Sequence, residues 1–221
     1  MITELTRMWL TRSTKPFLFK NEYDQELPFS DCDGLGLYVH IPFCRSICSF
    51  CPYCKTLYTE EACSRYIDAL IREIHLAGIQ APGKKTVTSL YFGGGTPALA
   101  ADRIKEIIDA IQDHFIITQG IGIELHPENV TPRTLHVLKE AGVTKLSIGI
   151  QSFQEKFQKL LGRTGADMDS LKAALSQVPF ETVSMDFIFA LPSQTFGDLK
   201  ADVDAAFEAG ANHVALYPFI D

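Results

Sequence analysis

Leu37-Tyr38-Val39-His40-Ile41-Pro42-Phe43-Cys44-Arg45-Ser46-Ile47-Cys48-Ser49-Phe50-Cys51-Pro52-Tyr53-Cys54 joins two kinds of sequence. Residues 37–41 are rich in β-forming side chains and are stopped by Pro42. Four cysteines then fall between 44 and 54, three of them in the spacing C-x-x-x-C-x-x-C. A thiol-rich loop three residues beyond a strand is placed where barrel-like sheets collect their function.

The flanking sequence repeats a strand–helix alternation. Helices are expected over 59–77, 100–115, 131–141, 153–161, 168–177 and 195–209. The marks are N-caps at Thr59 and Thr131, Pro132 at the first helical position, Gly78 and Gly142 at the ends, and isoleucines 104, 107, 108 and 111 at helical spacing. Strands are expected over 37–41, 87–92, 121–125, 144–150, 182–189 and 213–219. Six strands with five helical connections imply parallel pairing, because parallel neighbours need a long crossover. They fit in 184 residues, from Gly36 to Phe219. A complete eight-unit barrel takes roughly 250 residues, so six units take about 190. The count fits an α/β fold built as a partial (β/α)6 TIM-like barrel, and it also fits a flat doubly wound sheet. We expect a short N-terminal arm over 1–34 and a core domain over 35–221. The last strand ends the chain without a closing helix, which suggests a further C-terminal domain absent from this sequence.

Composition narrows the class. The 221 residues are 46% hydrophobic and 21% charged, a globular balance. A net charge of −7 with no basic stripe argues against a nucleic-acid partner. No apolar run approaches the roughly 18 residues that span a bilayer, and residues 1–20 lack a signal-peptide core. The expectation is a cytoplasmic protein whose thiols are reduced. No Ser/His/Asp set suggests a hydrolase.

The cysteine loop has several readings. A structural zinc site draws paired cysteines from two separated segments. A thioredoxin-like pair needs one C-x-x-C opening a helix. Buried inert cysteines do not crowd in this way. An iron–sulfur cluster with three protein ligands accounts for the loop best, and it leaves one iron open to a ligand.

Five motifs, in order at expected strand ends, then carry a resemblance. They are the cysteine loop with its preceding Tyr38–Phe43 run; Tyr91-Phe92-Gly93-Gly94-Gly95-Thr96-Pro97; Leu146–Phe153 with Leu161-Gly162-Arg163; and Asp186–Thr195. The chain resembles the radical S-adenosylmethionine (SAM) superfamily. Within it, the chain is similar to the oxygen-independent coproporphyrinogen III oxidases and their relatives, which include haem chaperones and radical methyltransferases.

The resemblance implies a 4Fe-4S cluster on Cys44, Cys48 and Cys51, with SAM chelating the fourth iron. Reductive cleavage would give a 5′-deoxyadenosyl radical that abstracts a substrate hydrogen. It implies SAM contacts at Tyr38, Phe50, Gly94, Gly95, Thr96 and Glu124. For a second SAM it implies Gln151, Arg163, Asp186 and the backbone of Phe219, so one or two SAM molecules are expected. No further catalytic residue is named. Cys54 stands outside the three-cysteine pattern, as a non-ligand or a substrate contact; Cys32 and Cys63 read as packing residues. His40 reads as a packed, hydrogen-bonded histidine, and His126 is ambiguous. The implied activity is oxidative decarboxylation of propionates in porphyrin biosynthesis. The alternatives are methyl transfer from a second SAM to an aromatic, quinone or tetrapyrrole, and haem binding or delivery. The implied partners are a small-molecule or tetrapyrrole substrate and an electron donor such as flavodoxin or ferredoxin.

Overall fold

A computed structural model describes residues 27, 29, 32–81, 83–163 and 167–219. Most of the expected N-terminal arm lies outside the described residues. Nine strands are described: β1 (Gly34–Ile41), β2 (Phe43–Cys44), β3 (Thr56–Leu57), β4 (Lys85–Gly94), β5 (Phe115–Ile117), β6 (Ile121–Leu125), β7 (Val143–Gln151), β8 (Thr182–Phe189) and β9 (His213–Pro218). The helices are α1 (Glu60–Gly78), α2 (Ala101–His114), α3 (Pro132–Glu140), α4 (Glu155–Leu160), α5 (Met168–Gln177) and α6 (Phe196–Glu208). The six expected strands are all present. β1 begins at Gly34, and β4 runs on through Gly93 and Gly94.

The main sheet has the order β1-β4-β6-β7-β8-β9, entirely parallel, with β5 paired to β4 off this path. That order separates the two architectures left open by residue counting. A doubly wound sheet reverses its strand order partway and places helices on both faces. Here each strand lies beyond the last. Crossovers of one hand then put every helix on the same face, and the sheet curls into a half-barrel.

The strands look uniformly apolar in sequence, yet their two faces differ. Val39, Ile41, Leu90, Phe92, Ile123, Leu146, Ile148, Met185 and Phe187 are buried against the helices. From α2, Ile104, Ile107, Ile108 and Ile111 meet them, none more than 2% exposed. Burying each such side chain stabilises the fold by roughly 1.5–3 kcal/mol. The alternate residues Tyr38, Tyr91, Glu124, Ser147 and Asp186 project to the concave side, because successive side chains point to opposite faces.

Caps fix the helix starts. Thr59 and Thr131 accept the N–H of Ala62 and Thr134. Thr195 and Asp198 form a capping box on α6. The buried carboxylate of Asp202 ties α6 to the end of β7, accepting from Ser152 Oγ at 2.7 Å and Phe153 N at 2.9 Å. Asp202→Ala should cost about 3 kcal/mol in urea unfolding, since it leaves both donors without a partner.

Candidate cluster and cofactor site

The cysteine loop is closed at its base. Short parallel pairing of Phe43 with Thr56 and Cys44 with Leu57 brings residues 44 and 56 together, a pairing too short to show in the sequence pattern. Thr56 N donates to Pro42 O at 2.7 Å and Tyr58 N to Cys44 O at 2.8 Å. His40 Nε2 meets Cys54 O at 3.0 Å, and Tyr66 donates from its hydroxyl to His40 O at 2.6 Å. His40 is therefore the packed, hydrogen-bonded residue expected, and it anchors the far end of the loop. Lys55 Nζ donates to Cys51 O.

The glycine turn packs under this base. A Cβ on Gly95 would lie 2.6 Å from Phe43 O and 2.8 Å from Pro42 C, and one on Gly94 would lie 2.8 Å from the His40 ring. Gly94 also holds φ at +124°, where side chains are rarely tolerated. The N–H groups of Gly94, Gly95 and Thr96 are engaged by Glu124 Oε2, Ile41 O and Phe43 O at 2.8–3.0 Å. What the turn can offer an ammonium is therefore acceptor oxygens.

A cavity of 380 Å³ opens at the C-terminal ends of the strands. It is lined by Cys44, Cys48 and Cys51 together with Phe50, Gly94, Gly95, Thr96, Glu124, Gln151, Arg163, Asp186 and Phe219. Twelve of the thirteen residues singled out from the sequence thus meet in one space. Tyr38 is the exception. It lies on the concave face beside Gly93, 59% exposed, with its hydroxyl 3.1 Å from His40 Nδ1. Cys54 is exposed and does not line the cavity, and Cys63, on α1, is buried in the core.

Several features suit ligands of mixed charge. Burial pushes the Cys44 thiol up, partly offset by the Thr96 hydroxyl, so metal would displace its proton on binding. Burial likewise raises Glu124 and Asp186, which Gly94 N–H, Tyr91, Ser147 and Ser184 counter by hydrogen bonding. Arg163 donates from Nη1 to Gly149 O and stands 5.8 Å over the Phe50 ring. Its buried Nε has no hydrogen-bond partner among the described residues, which suits an incoming anion. Gln151 sits at φ +70° beside a register shift between β7 and β8, a strained backbone of the kind that collects at binding sites. Phe50 and Phe219 pack on a second apolar cluster of Phe157, Leu161, Ile188 and Leu191.

Among the described residues, no three His, Cys, Asp or Glu side chains converge on one ion-sized point. A tetrahedral zinc needs its sulfurs within about 2.3 Å of the ion. Three thiols lining one cavity are the kind of donor set a four-iron cluster takes.

Ser147, His126 and Arg45 also line this space, and Tyr91 adjoins it beside Glu124, although the sequence pattern assigns none of the four a ligand contact. Strand parity finds Tyr91 and Ser147, since they alternate in phase with Gly93 and Gly149. Burial, with the Arg163 and Arg45 charges, holds His126 at a pKa of about 4. Its Nδ1 accepts from Glu128 N at 3.3 Å, leaving Nε2 as the protonated nitrogen. Nitrogen-15 NMR should show this ring neutral down to about pH 5. The unfolded chain binds that proton near pH 6.5, so this histidine withdraws stability as pH falls from there toward 4.

A half-barrel with thiols, a glycine turn and buried carboxylates gathered at its strand ends is the class of fold and site that radical chemistry on SAM employs. The family model for the radical SAM superfamily matches residues 38–206, and the chain belongs to that superfamily. It is 33% identical to the heme chaperone HemW of Lactococcus lactis over 189 residues, covering 83% of this chain and 48% of that protein. It is 28% identical to the oxygen-independent coproporphyrinogen III oxidase of Pseudomonas aeruginosa, covering 84% and 42%. Among solved structures, coproporphyrinogen III oxidase (HemN) from Escherichia coli matches with a TM-score of 0.75 at 28% identity, covering 84% and 44%. The chain spans about half the length of these relatives. The family implies a 4Fe-4S cluster and SAM. None of the described helices is long and apolar enough to cross a membrane.

Proposed function

We propose that Cys44, Cys48 and Cys51 hold the cluster and that the cavity beside them takes SAM for hydrogen abstraction from a tetrapyrrole. The observation that carries this reading is the single cavity shared by the three thiols, the glycine turn and two buried carboxylates. When bound, the cluster supplies the electron that breaks a sulfonium carbon–sulfur bond. The chain's own groups do the rest. Thr96 holds Cys44, its Oγ1 3.9 Å from the sulfur. Glu124 braces the glycine turn and faces cationic groups. Phe50 offers a ring face for an adenine. The Arg163 Nε–H meets a carboxylate, and the apolar cluster behind Phe50 and Phe219 keeps water out. A volume of 380 Å³ is in the range for one cofactor-sized ligand, so we propose one SAM against the cluster. Gln151, Arg163 and Asp186 form the wall toward the substrate or a second SAM. An external electron donor belongs to the same reading, and the 35–221 unit is its core domain.

The test is anaerobic reconstitution followed by electron paramagnetic resonance of the reduced protein. Added SAM should change the spectrum, and coproporphyrinogen III should be consumed with 5′-deoxyadenosine formed. Release of S-adenosylhomocysteine would instead mark methyl transfer. A spectrum indifferent to SAM would overturn the proposal. The 33% identity to a protein named as a heme chaperone favours a second reading, haem delivery. Stoichiometric haem uptake without porphyrinogen turnover would select it.

A further inference from the structure

The register of the last three strands builds a short polar chain on the concave face. Ser147 of β7 pairs with Ser184 of β8, and Ser184 pairs with His213 at the start of β9. Asp186 stands two residues beyond Ser184 and so shares its face. Ser147 Oγ lies 2.6 Å from Asp186 Oδ2. Ser184 Oγ lies 3.2 Å from Asp186 Oδ1 and 2.9 Å from His213 Nδ1. Asp186 lines the cavity, whereas Ser184 and His213 do not. Ser184 is buried and His213 is exposed, so the set runs from the cavity wall out to solvent.

Ser184 has one hydroxyl proton for two contacts. If it goes to His213 Nδ1, the contact with Asp186 Oδ1 holds no proton unless the carboxyl is itself protonated. If it goes to Asp186, the contact with the ring needs a proton on Nδ1. Burial disfavours charge on Asp186, and the hydrogen bonds from Ser147 and Ser184 oppose that, helped by the nearby His213 ring. A bond from a hydroxyl to a carboxylate is roughly twice as strong as one between neutral groups. The second arrangement is therefore preferred: His213 Nδ1–H donates to Ser184 Oγ, and Ser184 O–H donates to Asp186 Oδ1. A carboxylate offers about four lone-pair sites. Ser147 and Ser184 take two of them, and the rest remain for a ligand in the cavity.

We propose that Ser184 and His213 are positioning residues for Asp186. The ring donates through Nδ1–H, turns the Ser184 hydroxyl onto the carboxylate, and so presents Asp186 to the cavity as a fixed anionic acceptor. A ligand bearing an ammonium group or a pair of hydroxyls is what such an acceptor takes. The other titratable and charged groups facing the set are Glu124 from β6, Tyr91 from β4 and Tyr217 from β9, with Arg163 on the same cavity wall. Lys145 stands one step below Ser147 on the same face of β7. His213 acts on the ligand site without lining it, and only through Ser184. Losing the ring and losing the hydroxyl therefore amount to the same loss. The role rests on the cofactor reading above only for SAM as its probe.

Nitrogen-15 NMR of the cluster-loaded protein at mildly alkaline pH tests the geometry. The neutral His213 ring is expected as the Nδ1–H tautomer, and Ser184→Ala should abolish that preference. Equilibrium dialysis of SAM tests the role. Ser184→Ala and His213→Leu should each weaken SAM binding roughly tenfold. Each should also move the acid limb of binding to higher pH, because Asp186 with fewer donors takes up a proton sooner as pH falls. The double variant should be no worse than either alone. His213→Asn, whose amide N–H falls near the Nδ1 position, should restore both binding and the acid limb. An Nε2–H tautomer in the unsubstituted protein, additive losses, or no rescue by His213→Asn overturns the proposal. Circular dichroism verifies folding; if Ser184→Ala does not fold, the tautomer and the His213 variants still decide. Asp186→Ala separates the two readings. If it leaves SAM binding unchanged, the cofactor reading of this wall fails, and the tautomer alone then decides the positioning role.

Discussion

Cys48→Ala is expected to emerge from anaerobic reconstitution without its iron–sulfur absorbance and with SAM cleavage reduced to background. Cys54→Ala should retain the full cluster. The contrast follows from position. Cys48 lies on the cavity wall between Cys44 and Cys51, whereas the Cys54 side chain is exposed and only its backbone carbonyl is used, by His40. A thiolate ligand cannot be replaced by a methyl group, and two remaining sulfurs hold a cube of four irons poorly. The measurement is iron and sulfide content alongside the visible spectrum. Equal loading of Cys48→Ala and the unsubstituted protein would remove these cysteines as ligands.

Gly95→Ala should be nearly as damaging, although it adds one carbon and touches no metal. The new Cβ would meet backbone at Phe43 and Pro42, 2.6–2.8 Å away, where no flexible side-chain end can yield. Overpacking of this kind costs roughly 1–3 kcal/mol. The strain falls on the segment that positions Cys44, so cluster loading should drop together with the urea midpoint. The equivalent change at Gly36, where an added Cβ meets nothing within 4 Å, is the control and should leave both unchanged.

Much of this architecture was legible in the chain. The six strands and their helices stand out because each helix carries one apolar face and each strand ends at a turn residue. The cysteine spacing and the glycine turn marked the site, and Glu124 and Asp186 stood out as acids within apolar strands. Other features left no local signal. The β2–β3 pairing involves two residues on each side, set by hydrogen bonds around Pro42 and Cys44 and not by any periodicity. The choice between curled and flat sheets depends on strand order, which is a long-range property. Tyr91 and Ser147 read as ordinary strand residues until register sets Ser147 opposite Glu124. The resemblance groups Tyr38 with the cofactor contacts, whereas the structure places it on the concave face outside the cavity lining, packed beside His40 and Tyr91.

The stapled base of the cysteine loop bears on what seating a metal group there would cost. Ordering a floppy loop around an inserted metal would charge its lost conformational freedom against metal affinity. Here folding has already drawn the two ends together, through β2, β3 and the His40–Cys54 contact. A cluster seated as proposed on Cys44, Cys48 and Cys51 would therefore meet a loop whose two ends the sheet already holds.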